Sequence, residues 1–202
     1  MASLTNHTTA TLPAIAAQPT LQRVASRTGL VVVASAFVAV CAHIALPLPF
    51  SPVPLTLQTF AVVLVGLTLG PALGAATLAL YLMEGLCGLP VFAPTGLGGI
   101  LQLAGPTGGY LLSYPLAAAC AGYLARRLTR FMPRMAANIT AGALALEIVL
   151  GCGALWLAMF THTGAAHVVM MGVVPFLPGE AVKLLAAAGI ASAWTNLRRP
   201  TV

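Results

Sequence analysis

Residues 29–42 read GLVVVASAFVAVCA, an uncharged run that follows Arg23 and Arg27. Two folds hang on how it is read. A basic lead before a short apolar run suits a cleaved secretory signal. The polar lead is too long for that, and the segments that follow are as apolar as this one. The run is therefore read as the first of several membrane spans.

Composition agrees. Of 202 residues, 59% are hydrophobic and 6% charged, whereas a soluble domain carries about 25% charged residues. So little charge cannot cover a water-facing surface, and lipid is the solvent. The length suits one compact bundle. A net charge of +6 raises nucleic acid as a partner, but no basic stripe alternates with aromatics. The arginines instead flank apolar runs, as on the cytoplasmic side of spans. Cys41, Cys87, Cys120 and Cys152 each lie inside such a run, with no spacing for a disulfide framework or a zinc site.

Spans are expected at about 28–46, 55–69, 72–89, 108–127, 136–160 and 178–196, with a tight turn at Gly70–Pro71 and a kink at Pro115. The short apolar piece VVMMGVVPF precedes the sixth and reads as a separate half-helix. Arg23 and Arg27, the group Arg126, Arg127, Arg130 and Arg134, and the pair Arg198 and Arg199 all fall on one side only if the number of spans is even. The connections 47–54, 90–107 and 161–167 hold no Lys, Arg, Asp or Glu. The expectation is an all-α, polytopic membrane protein. A disordered tail over 1–22 precedes one six-helix domain over 23–199, with both termini in the cytoplasm.

The outer connection LPVFAPTGLGGILQLAGPTGGY (89–110) is too apolar for a solvated loop and too broken for one helix. Irregular backbone at membrane depth is tolerated where protein or a cavity covers it. It is expected to fold back over the bundle and cover a pocket; the alternative is a surface hairpin without a ligand.

The charges other than arginine are Glu84, Glu147, Glu180 and Lys183, all inside spans. Intramembrane ionisable groups are functional candidates by default. Glu180 follows Pro178–Gly179, a helix start, where a carboxylate suits the dipole. One reading makes Glu180 a cap with Lys183 as its i, i+3 partner. The other turns the pair toward a polar solute bearing both N–H and C=O groups. Gln58 is the other amide at depth, and the backbone of Thr107, Gly108 and Gly109 opens a helix that suits an anionic or carbonyl group. Tyr81, Phe92, Tyr110 and Tyr114 supply apolar walls, or simply core. Ser35 and Ala39 stand four apart on the first span, a spacing for close helix contact. That face either docks a partner subunit or packs inside.

Catalysis finds little footing. There is no HExxH, no GxSxG and no GxxxxGK[ST], since the sole lysine follows Val182. His43, His162 and His167 lack ligand spacing, so no metal is expected. An intramembrane enzyme acting on a lipid would need a nucleophile or metal that the chain does not evidently supply.

Five stretches carry a resemblance: PVPLTLQTF (52–60), LGPALGA (69–75), YLMEGLCGLPVFA (81–93), GLGGILQLAGPTGGYLLSYPLAA (96–118) and PFLPGEAVK (175–183). In order and spacing, from about residue 28 to 195, they resemble the biotin transporters of the BioY type. The resemblance implies a substrate-binding S component of an energy-coupling factor transporter. Such a component has six helices, binds biotin near the outer face, and docks on a transmembrane coupling protein that carries two ABC-type ATPases. Some members are thought to work without that module, so a self-sufficient secondary biotin carrier is the alternative. By the same resemblance, Glu180 and Lys183 match the family's acid-and-lysine motif, often an aspartate at the first place, and Gln58 matches its glutamine. An arginine that some members carry in the outer loop is missing from PTGLGGI. The expected substrate residues are Glu180, Lys183 and Gln58, on which the resemblance and the residue chemistry agree, and, from the residue chemistry, Tyr81, Phe92, Thr107, Gly108 and Tyr110; Ser35 and Ala39, by their spacing, are expected to face the coupling protein. No cofactor is implied beyond biotin as cargo.

Overall fold

A computed structural model describes residues 18–197, with side chains from 21. Within them the order is α1 (Gln18–His43), β1 (Ala45–Leu46), β2 (Leu55–Thr56), α2 (Gln58–Leu69), α3 (Pro71–Leu86), α4 (Gly99–Ala104), α5 (Gly108–Leu128), α6 (Arg134–Thr161), α7 (Ala165–Gly172), a 3-10 turn (Val174–Phe176) and α8 (Leu177–Leu197). The chain is an all-α, polytopic membrane protein. Leu21–His43, Arg134–Thr161 and the α7–α8 stretch Ala165–Leu197 are long and apolar enough to cross a membrane. The 12 residues of α2 and 16 of α3 rise only about 18 and 24 Å, short of a hydrocarbon core of about 30 Å.

α5, α6 and α8 begin and end within two residues of the spans expected for them. α1 does not: it starts at Gln18, so residues 18–22 are helical where a disordered tail was expected. The rest of that tail, with His7, lies outside the described residues, as do Arg198 and Arg199. The proline-dense connection after α1 holds a short antiparallel ladder, Ala45 opposite Thr56 and Leu46 opposite Leu55. The glycine-rich connection contains α4. The half-helix expected before the last span is α7.

Gly70 makes the α2–α3 turn in a single residue. Its φ of +83° is open to glycine, its N–H closes α2 on the Gly66 carbonyl, and Pro71 starts α3. α5 then lies against this elbow so closely that a Cβ on Gly122 would come within 2.6 Å of the Gly66 oxygen and the Gly70–Pro71 backbone. Backbone cannot swing aside as a flexible side chain can. Gly122→Ala should therefore cost about 1–3 kcal/mol of overpacking, read as a lower thermal unfolding midpoint in detergent. An unchanged midpoint would mean that α5 can back away.

Small residues line the same seam. Ala61, Ala117, Ala118 and Ala121 are fully buried. In lipid, close backbone approach replaces the hydrophobic drive between helices. The outer faces carry Leu, Val, Phe and Met, exposed as lipid contact requires. The buried polar side chains include Gln58, Thr59, Gln102 and Glu180, and these four meet at one cavity.

Candidate functional site

Pro178 and Gly179 place Glu180 in the first turn of α8. Its side chain is 6% exposed. Oε1 accepts from Thr59 Oγ1 at 2.8 Å and from Lys183 Nζ at 2.7 Å. Oε2 is buried and has no partner among the described residues. A buried carboxylate oxygen left unpaired is costly, so it calls for a donor.

Lys183 is fully used. Besides Glu180, Nζ donates to the Thr56 carbonyl at 2.5 Å and to Thr59 Oγ1 at 3.1 Å. An ammonium has three protons, and all three are spent inside the protein. Lys183 thus joins β2, α2 and α8 and fixes the Glu180 carboxylate.

Gln58 opens α2. Its Nε2 donates to Tyr81 Oη at 2.5 Å, Tyr81 donates on to the Val91 carbonyl at 3.0 Å, and Thr56 Oγ1 donates to Gln58 Oε1 at 3.2 Å. Phe92 lies edge-on to Tyr81, centroids 5.4 Å apart. On the other side, Gln102 of α4 accepts the Gly98 N–H on Oε1 at 3.1 Å, which sets its amide orientation. Its amide nitrogen has no hydrogen-bond partner among the described residues.

The cavity between these groups is lined by Val53, Pro54, Thr56, Gln58, Thr59, Ala93, Gln102, Thr107, Tyr110, Leu111, Tyr114, Val149, Leu150, Phe176 and Glu180, around a free space of about 40 Å³. That holds a few water molecules. The β1–β2 connection and the 88–107 segment cover it. The cover is pinned by Trp156 Nε1 donating to the Gly105 carbonyl at 2.9 Å, and by the Tyr81–Val91 bond. Tyr110, in the wall, donates to the Gly172 carbonyl at 2.8 Å.

Of the residues expected at the site, Glu180, Gln58, Thr107 and Tyr110 line the cavity. Tyr81 and Phe92 stand behind Gln58 as its support rather than as walls. Lys183 stands behind Glu180. Gly108 is packed beneath Trp156, and its N–H is taken by the Gly105 carbonyl at 3.0 Å, so it offers no open donor. Thr107 Oγ1 donates to the Gln102 carbonyl at 3.3 Å. Ser35 is fully buried and its hydroxyl donates to Glu84 Oε2 at 2.5 Å, while Ala39 packs half-buried against the core. Ser35 is thus spent on α1–α3 packing, and the docking face expected there is turned inward at that residue.

Thr56, Thr59, Val149 and Phe176 were not singled out from sequence. Thr56 and Thr59 bracket Gln58 at helical spacing, a signal that was present. Val149 and Phe176 carry none, since an apolar residue in an apolar span looks the same wherever it points.

Fold and site together define a polytopic helical membrane protein with a small, covered, mostly apolar cavity at one end, into which a few polar side chains are set. The chain belongs to the BioY family, whose model it matches over residues 10–199. It is 38% identical over 157 residues to the biotin transporter BioY of Thermotoga maritima, covering 78% of this chain and 88% of the relative. It is 34% identical over 157 residues to biotin transporter BioY2 of Lactococcus lactis, covering 77% and 82%. Its fold matches the crystal structure of the S-component for biotin from an ECF-type ABC transporter, with a TM-score of 0.79, 23% identity, and coverage of 87% of this chain and 93% of that one.

Proposed function

We propose that this chain captures biotin from the outer face of the cell membrane and passes it inward. The observation that carries this is the Glu180 carboxylate, held by Thr59 and Lys183 through Oε1 and left with an unpartnered, buried Oε2 on a side chain that lines the cavity. Biotin's ureido ring bears N–H donors and a carbonyl acceptor. Oε2 takes one N–H, the Gln102 amide nitrogen gives to the carbonyl, and Tyr110, Tyr114 and Phe176 flank the apolar ring. Among the described residues no cation lines the cavity, so the valerate carboxylate points to the outer mouth and water. The relatives are named as biotin transporters, which supports the same ligand. The site residues are Glu180, Gln58, Gln102, Thr107 and Tyr110, with Lys183, Thr59 and Tyr81 positioning them.

The sequence holds no GxxxxGK[ST] loop, so if ATP drives the transport another subunit hydrolyses it. The likeness to an S-component supports a coupling protein with two ATPases in that role. Six spans, both termini in the cytoplasm and one domain over 23–199 complete the reading; the arginine placement supports it. Equilibrium binding of tritiated biotin to purified protein tests the capture step, with saturable binding competed by unlabelled biotin but not by an analogue lacking the ureido N–H groups. Absence of saturable binding sinks the reading. Uptake by this chain alone, in cells without any coupling ATPases, would instead make it a self-sufficient carrier.

A further inference from the structure

Glu147 sits on α6, thirteen residues after Arg134 and fourteen before Thr161, hence about 20 Å from either end of the helix. Its side chain is exposed on the outer surface of the bundle and is not among the cavity's lining. It makes no hydrogen bond or ion pair among the described residues. A glutamate is too short to reach the interface from mid-depth, so this polar group faces acyl chains. Such a position is unfavourable unless something covers it.

The face around it is built for close approach. One turn to either side stand Ala143 and Gly151, giving small residues at four-residue steps about the carboxylate. A Cβ on Gly151 would meet nothing within 4 Å, so that surface is open on this chain. Small residues spaced in this way let a second helix come near enough for its backbone and short side chains to touch. We infer that this face of α6 is a docking surface for a transmembrane helix of another protein that carries an arginine or lysine at mid-depth, its cation meeting Glu147. Charge complementarity selects the occupant. A second copy of this chain has no cation to offer: among the described residues, Arg23 and Arg27 lie in the first ten residues of α1, the other arginines cluster at the α5–α6 junction, and Lys183 is spent on Glu180. This surface is separate from the solute cavity and from the α1 face, and it does not depend on what the cavity binds.

The test uses the purified full chain in phosphatidylcholine vesicles with a dye-labelled synthetic polyleucine helix of about 20 residues, bearing one central arginine, read by energy transfer. The arginine helix should associate at least tenfold more tightly than the same helix with a central leucine. Glu147→Leu should erase that preference without lowering the unfolding midpoint, because the residue is exposed and makes no bond within the chain. Gly151→Leu keeps the carboxylate but blocks the approach, and should weaken association about tenfold. Equal association of the two helices, or a preference that survives Glu147→Leu, overturns the inference. So does self-association of labelled copies that Glu147→Leu abolishes, which would name a second copy as the occupant.

Discussion

Glu180→Ala should lower biotin affinity about a hundredfold if the ureido group meets this carboxylate as proposed, measured as equilibrium binding of the labelled vitamin. Two losses add. The hydrogen bond from a ureido N–H to a charged oxygen is worth about 1.5–3 kcal/mol, and the N–H left buried without an acceptor costs about 1–3 kcal/mol. A combined loss near 3 kcal/mol is about two decades at ~1.4 kcal/mol each. Glu180→Gln is the sharper variant. It keeps the shape and the Thr59 neighbour but lowers the charge and turns one lone-pair site into a donor, so it should lose at least tenfold. A change below threefold in both variants would show that the vitamin does not meet this carboxylate.

Lys183→Met should damage stability first and binding as a consequence. The ion pair is 2.7 Å long, with side chains 11% and 6% exposed. Removing one partner of a buried pair strands the other charge, at about 3–5 kcal/mol. The unfolding midpoint of the single variant should fall sharply, and affinity should fall because Glu180 loses its anchor. The double variant Lys183→Met with Glu180→Gln should recover much of the midpoint and none of the affinity. That split separates positioning from contact. If Lys183 touched the ligand directly, the single variant would lose affinity at an unchanged midpoint.

The fold was largely legible because composition decides it: a chain this poor in charge has to put helices in lipid, and α5, α6 and α8 follow hydropathy almost to the residue. The features that were not legible share a cause. Hydropathy reports that a segment is apolar but not which way each residue turns. Ser35 and Ala39 have a spacing that serves outer and inner faces alike, and it takes the part-buried bond from Ser35 to Glu84 to set Ser35 against α3. Lys183 looked like a ligand group because its charge is rare; that its three protons are consumed by Thr56, Thr59 and Glu180 depends on β2 folding back beside α8, 127 residues away. Tyr81 likewise turned out to brace Gln58. The β1–β2 ladder was hidden by prolines, which mark a connection but not the two pairs they leave free to bond.

A ligand of biotin's bulk cannot enter a 40 Å³ space as it stands, since sites for such molecules measure some hundreds of cubic ångströms. On the proposed reading, biotin binding requires the cover to lift, and that cover is held by the Trp156–Gly105 and Tyr81–Val91 bonds. Capture rates should then level off at high vitamin concentration, reaching a ceiling set by the protein's own opening frequency, and Trp156→Phe should raise that ceiling.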